Sequence, residues 1–550
     1  MRGLALCIGS VGFFVFVSCD LSSLWEKEWG VAGKYQGAWS LPLGQVQMGM
    51  DTLWAILATD DLEVVEKENG ELIYTYEWED SKDIMEDLIE IPDLERTYTY
   101  TQNELVDYDT ERLITSGSGP IEISHDREFM VPFPPREGDQ LDYLVYHTGT
   151  LRFAWINSFS SEVQLILRIS SLQFEGNNFE WVKVFTPEDR RGVNLFSLRG
   201  YRLDLVSPDG GTPEFEVEIN LSFVLRKSGD QIERGDALRI TSGIRDVEVE
   251  CYHGYFKPRE VFLKNGSARI FAERSNLDYG QISLGAPKFF IEVANSQGLP
   301  MSLVTEKVAF IDVAQEKYPL EYEGSSFIDY PSIEVEGETK ITVLEIDDEN
   351  SNLSEILGES GGYVLSFPLH VNINPPPPEK QDNNNYVCRG RPIQMHVEME
   401  LPLQIKLDDF EHEVSVPIEL GNQADQLDGI EEGRVLLRLM SNNGYPFGGA
   451  LRLIFKDKDL RILHKTEDKV LFESAKTDEN GKVTQTTEAI HDLILDSEGI
   501  DALLESETIT VLIIANTPTN EKGEKIHVRL SRDQTMWIHV GLEVDLDYNI

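Results

Sequence analysis

Four cysteines are the residues with the clearest chemical prospects in this 550-residue chain, and their positions give them different fates. Cys19 closes a short apolar segment that begins after Arg2 and includes Leu4, Ala5, Leu6, Ile8, Val11, Phe13, Phe14, Val15, Phe16 and Val17, with the small Ser18 just before the cysteine. A basic start, an apolar core and a small residue before cysteine form a lipoprotein signal. Cleavage before Cys19 would make it a lipid-bearing N-terminus, and Cys7 would leave with residues 1–18. The segment is too short and too rich in glycine and serine for the roughly 20 apolar residues of a spanning helix. That leaves Cys251 and Cys388, which outside the cytoplasm either form one disulfide or stay as two buried thiols; two cysteines alone do not decide between these.

Other chemistry has weaker support. Gly358-Glu359-Ser360-Gly361-Gly362 has the form G-x-S-x-G, but a nucleophile elbow follows a strand and opens a helix. Here a helix is expected before the serine and a strand after it, so the glycines read as a helix stop. Ten histidines are scattered without HExxH or paired Cys-x-x-Cys spacing, and Glu411-His412-Glu413 and His396-Val397-Glu398 read as strand faces. The best calcium candidates are Asp457 with Asp459, Asp545 with Asp547, and the run Asp347-Asp348-Glu349-Asn350. None forms the Asp-x-Asp-x-Asp-Gly loop of an EF-hand site, which leaves the metal question open. Trp39, Trp54, Trp78, Trp155 and Trp181 could form a sugar platform, yet most alternate within strands as core residues do. Two carboxylates at glycosidase spacing cannot be picked out of 97 acids. No phosphate-binding glycine loop is present, and no cofactor is expected.

The acids outnumber 48 lysines and arginines and give a formal charge of −49, spread along the length of the chain. Such a surface repels nucleic acid and anionic headgroups, so neither is an expected partner.

The elements that must carry these residues repeat. Gly149-x-Leu151-x-Phe153-x-Trp155-x-Asn157, Pro287-x-Phe289-x-Ile291-x-Val293-x-Asn295 and Gly433-x-Val435-x-Leu437-x-Leu439-x-Ser441 share one alternating pattern, the third followed by Asn442 and Asn443. Their starts lie 138 and 146 residues apart. Later elements follow in the same order: an alternating strand, a short helix after Ser351 or Ser497, another strand, a polar excursion and a long closing strand. The first copy has counterparts to the last strands in 215–224 and 244–252, but no evident helix. Residues 375–385 read as a long loop between paired strands, Asn69-Gly70 as a hairpin, and 81–91 as a helix. The expected fold class is therefore all-β: tandem antiparallel β-sandwich or half-open barrel units with a few short helices. The division is 1–18 signal, 19–32 tether, 33–148 N-terminal β-rich region, and repeats at 149–286, 287–432 and 433–550.

Trp39-Ser40-Leu41-Pro42-Leu43, the Asn69-Gly70 hairpin, the strand 149–157, Asn350-Ser351-Asn352 and Met399-Glu400-Leu401-Pro402-Leu403 together resemble a group of uncharacterised exported lipoproteins of Bacteroidota. That resemblance implies an outer-membrane or cell-surface location and brings no activity or site residues. The hairpin 287–300 is similar to late-embryogenesis-abundant (LEA14/WHy-type) β domains. The expectation is a lipid-anchored, non-enzymatic binding or scaffolding module whose partner is a surface protein or glycan. A carrier or sensor for an apolar ligand between sheets is the first alternative, and a glycan-active enzyme the second.

Overall fold

Period-two alternation runs through nearly every segment of this chain, and the chain accordingly builds antiparallel sheets with apolar side chains turned inward. The computed structural model describes residues 38–545 except 51–58, 68–69, 90, 92, 102–120, 134, 137, 160–161, 206–212, 226–235, 271–280, 313, 360–363, 376–384, 419, 421–434, 467–469 and 479–481. Cys19, Trp54 and Ser360 lie outside the described residues.

One sheet order occurs three times. In the third unit Ala38–Gly49, Thr535–Asp545, Val435–Asn443 and Thr487–Ile494 lie side by side. The second places Leu72–Lys82, Ile393–Pro402, Lys288–Asn295 and Lys340–Ile346 in the same order. In the first, Leu94–Thr101 pairs with Ala237–Tyr255, which pairs with Gln140–Asn157, which pairs with Arg191–Ser197. The facing layers also correspond. Phe410–Pro417, Thr508–Asn516 and Gly448–Lys456 are neighbours in the third unit, and Ile121–Pro132, Glu214–Leu225 and Val163–Phe174 in the first. In the second, Arg259–Arg269 and Met301–Leu303 flank Val364–Ile373.

Inner faces meet through large side chains. The Phe367 ring lies 5.4 Å from Trp78 and 6.2 Å from Phe289, across the second sandwich. Phe153 stacks on Trp181 at 5.0 Å in the first. There, Arg202–Asp204 pairs with strands of both layers, so the two layers join into one ten-stranded sheet, a half-open barrel. The fold is all-β, as the alternation predicts.

Sheet partnerships cross the spans drawn from sequence. The region 33–148 supplies strands to all three units, in reverse order: Ala38–Gly49 to the third, Leu72–Lys82 to the second, Leu94–Thr101 to the first. Likewise Arg259–Arg269, from the span 149–286, completes the second sandwich, and Phe410–Pro417, from 287–432, completes the third. Alternation states which face of a strand is buried, not which strand lies beside it.

Four local readings change. The strand of the third repeat ends at Asn443 rather than Ser441, because Asn443 pairs with the first residue of the next strand, Thr487, as Asn295 pairs with Lys340. A two-residue slip leaves every side chain on its own face, so the pattern cannot reveal it. The helix expected over 81–91 is only Met85–Leu88, since Ser81 and Lys82 pair with Gln394 and Ile393. Asp496, not Ser497, caps the helix Ser497–Glu505, accepting the Gly499 N–H at 2.7 Å. The strands on either side of the loop expected over 375–385, Val364–Ile373 and Asn385–Cys388, lie in different sheets and do not pair, and neither does Val364–Ile373 with the next strand, Ile393–Pro402. Around Asn69-Gly70, Glu63–Glu66 and Leu72–Lys82 do pair as a hairpin. No helix among the described residues is long and apolar enough to cross a membrane.

Candidate functional site

The first unit's closing strand, Ala237–Tyr255, continues beyond its sandwich. In a strand, residues i and i+2 share a face, so Cys251 and His253 point the same way. The short strand Asn385–Cys388, from the second unit, pairs with this extension and sets Cys388 opposite Cys251 and Tyr386 opposite His253. The Cα atoms of the cysteines are 4.1 Å apart and their sulfurs 2.17 Å apart, a disulfide across 137 residues of sequence. Of the two states that the sequence leaves open for these cysteines, this structure holds the bonded one.

His253 is buried between aromatic rings on both neighbouring strands. Tyr143 stacks against it at 4.1 Å and Tyr386 lies at 5.6 Å on the other side. Its Nδ1 has no hydrogen-bond partner. Burial, reinforced by the Arg202 and Arg391 guanidiniums, pushes its pKa down to about 4, so the ring is neutral at pH 7. Glu336 follows the short turn Ile333–Val335 and brings Oε1 to 3.5 Å from Cys388 Sγ and 3.8 Å from Cys251 Sγ. Arg391 Nη2 lies 3.3 Å from the same oxygen. One ligand-type atom from each of Cys251, His253, Glu336 and Cys388 lies within 4.8 Å of every other.

The asparagine turn of the second unit holds this cluster in place. Asn295 Oδ1 accepts the Gln297 N–H at 2.9 Å. The Gln297 side chain then donates through Nε2 to the Cys388 carbonyl at 2.9 Å, while the Cys388 N–H donates back to Gln297 Oε1 at 2.8 Å. Gly298 accepts the Tyr386 N–H on its carbonyl, and the Tyr386 ring covers it so closely that a Cβ there would fall 2.0 Å from a ring carbon. At the other end Asn374 Nδ2 donates to Asn385 Oδ1 at 2.8 Å.

Other candidates from sequence resolve as structure. Asp457 Oδ1 accepts the N–H groups of Asp459 and Arg461, which makes it a turn former. Asp347 and Asn350 close their loop in the same way, accepting from Glu349 and Asp347 N–H. Asp547 lies outside the described residues, as does the side chain of Asp545. His396 and His412 sit in the strands Ile393–Pro402 and Phe410–Pro417, and burial lowers the pKa of His412. Trp155 and Trp181 are core, and Trp78 packs against the core.

Two apolar gaps lie between layers. The one in the first unit, beside Phe153 and Phe215, measures about 30 Å³ and the one beside Met48 and Ile513 about 10 Å³. Neither has room for a carried ligand. A larger surface cleft of about 400 Å³, lined by Glu79, Asp80, Glu292 and His396 among others, has no tryptophan, tyrosine or phenylalanine in its wall.

The outer faces carry a repeated feature that sequence reading misses. Val193, Val343 and Ile490 stand opposite Ala154, Glu292 and Met440, each three residues before the asparagine that ends its strand. All three are on the fourth strand of the order given above, and they are 49%, 55% and 61% exposed. His253 and Glu336 are also missed. Cys-x-His on an alternating strand is the one signal that could have flagged the histidine, whereas Glu336 comes from a turn with no pattern of its own.

No family model matches the chain, including any for the late-embryogenesis-abundant domains, and no curated protein is similar to it. A crystal structure from Parabacteroides distasonis, described as "a putative secreted protein", is similar over 92% of this chain and 99% of its own, at 11% identity. Its source belongs to the Bacteroidota, but at a TM-score of 0.27 the likeness carries no argument about fold or function.

Proposed function

We propose that this chain is a lipid-anchored surface protein that works as a non-enzymatic binding module, docking a partner protein along the outer strands of its three sandwiches. The observation that carries the reading is the matched set Val193, Val343 and Ile490. A sheet-edge strand with exposed aliphatic side chains is a template for an added strand, and folded proteins usually blunt it. Here the same position is left aliphatic three times, on strands that among the described residues each pair on one side only. The partner that fits offers an extended apolar segment with basic flanks, since the chain carries −49. The small apolar gaps disfavour a carrier, and the cleft without tryptophan, tyrosine or phenylalanine disfavours sugar binding. Cys19 supplies the anchor, which the N-terminal signal supports.

The test is cross-linking on intact cells, comparing the native chain with one carrying Val193→Lys, Val343→Lys and Ile490→Lys. Loss of a specific cross-linked species, with the thermal transition kept, supports the reading. An unchanged cross-linking pattern overturns it. The anchor is tested apart from this: Cys19→Ala should abolish metabolic lipid labelling, and a variant that still labels removes the membrane address.

A further inference from the structure

We infer that, once its disulfide is reduced, the chain holds one zinc ion on Cys251, Cys388, His253 and Glu336, at the joint between the first and second units. The inference stands apart from the docking strands and survives their failure.

The donor set comes first. Two thiolates, an imidazole and a carboxylate are all established zinc ligands, and four of them make a closed structural site. Here they come from three separate pieces of chain: the extended strand Ala237–Tyr255, the short strand Asn385–Cys388 and the turn after Ile333–Val335. Their ligand atoms already lie within 4.8 Å of one another. A tetrahedral zinc with Zn–S of about 2.3 Å and Zn–N of about 2.0 Å needs ligand atoms roughly 3.3–3.8 Å apart, so once the bond is broken the sulfurs must separate while the wider pairs close in, both by side-chain rotation.

One buried group goes unserved in the bonded state. The His253 Nδ1 is buried without a hydrogen-bond partner, which costs free energy unless something occupies it. Glu336 Oε1 lies against two sulfurs that carry no proton while they are joined, so its donor in this state is Arg391 Nη2 at 3.3 Å. A cation among these atoms would take one ring nitrogen of His253 and the Glu336 carboxylate as ligands beside the two sulfurs. Arg391 beside Glu336 balances the single negative charge left by two thiolates, one carboxylate and Zn²⁺.

The chemistry balances with a dithiol as reductant. It gives two electrons and two protons to the S–S bond, becomes a cyclic disulfide and leaves two cysteine thiols. Zinc then binds as each thiol releases its proton to solvent, two protons per ion. Disulfide and zinc are therefore exclusive ways of fastening the same joint.

The test uses the full chain carrying Cys7→Ser and Cys19→Ser, so that only Cys251 and Cys388 remain. It is reduced with dithiothreitol, desalted without oxygen and exposed to Zn²⁺ or Co²⁺ alone. The expected result is one metal per reduced chain after desalting, none on the oxidised chain, and a cobalt spectrum with thiolate charge-transfer and tetrahedral bands. His253→Asn and Glu336→Gln should weaken binding at least tenfold, and Cys388→Ser should remove the charge-transfer band or halve it. If serine variants unfold, the melting temperature of the reduced parent decides: zinc should raise it, and should leave that of the oxidised chain unchanged. A reduced chain that keeps no metal and gains no stability overturns the site. So does metal retained equally by the oxidised chain.

Discussion

The asparagine turns of the second and third units share a backbone but carry different loads. In both, the asparagine side chain accepts the N–H two residues on, from Gln297 in one and Tyr445 in the other. Tyr445 turns inward, stacks on Phe447 at 4.9 Å and donates its hydroxyl hydrogen to the Met48 carbonyl, so the third turn fastens the N-terminal strand to its own sandwich. Gln297 instead reaches across to the backbone of Cys388, so the second turn fastens a strand that joins two units. A repeated framework thus sets positions, and the residue two places after the asparagine reaches the unit's own N-terminal strand in one turn and the strand that joins two units in the other.

That comparison is open to direct attack. Reduction should have the largest effect. With 137 residues between the bonded cysteines, chain-entropy reasoning puts the loss at about 4–5 kcal/mol, and it should fall on the first two units alone. Urea unfolding followed unit by unit, with and without reductant, checks this. An equal shift in the third unit would show that the joint is shared by the whole molecule.

Removing the asparagines should cost less, and in a set order. Asn443 donates to the Phe447 and Glu473 carbonyls at 2.7 and 2.9 Å, Asn295 to Asp329 at 3.2 Å, and Asn157 to Thr186 at 3.4 Å. Alanine should cost about 3, 2 and 1 kcal/mol respectively, as buried groups lose their partners. The midpoint of each unit's transition reports it, and a reversed order would mean that the turns are not equivalent.

Gln297→Ala and Tyr445→Phe separate the two loads more finely. The first should cost about 2 kcal/mol and speed alkylation of the reduced cysteines, while the second costs about 1 kcal/mol and leaves alkylation unchanged. Equal alkylation rates in both would dismiss the clamp. The smallest effect belongs to Asp492, which Arg438 grips at 2.6 and 2.7 Å and holds below the usual carboxylate range. A depressed carboxylate stabilises the fold above its unfolded pKa of 3.8, and this is lost as pH falls through the lower folded value. The pair is largely solvated, so Asp492→Asn should cost under about 1 kcal/mol at pH 7 and nothing once the carboxyl is protonated.

Much of this was legible in the residues. Leu151, Phe153 and Trp155 alternate inward as their spacing requires, as do Phe289, Ile291 and Val293. The helix before Ser360 and the strand after it also lie where the pattern put them. What stayed hidden was partnership. Nothing in Ala38–Gly49 announces that it will lie beside Thr535–Asp545, because an edge strand contributes alternation and the sheet chooses the neighbour.

The sequence by itself determined the all-β class, the threefold recurrence and the acidic balance of charge. These follow from local periodicity and composition, which act within a few residues. Only the tertiary structure decided that the N-terminal strands serve the units in reverse order, that Cys251 meets Cys388, and that His253 and Glu336 stand with them. Those are meetings between residues tens to hundreds of positions apart, set by which edges are free when the sheets close, and no short-range pattern encodes them.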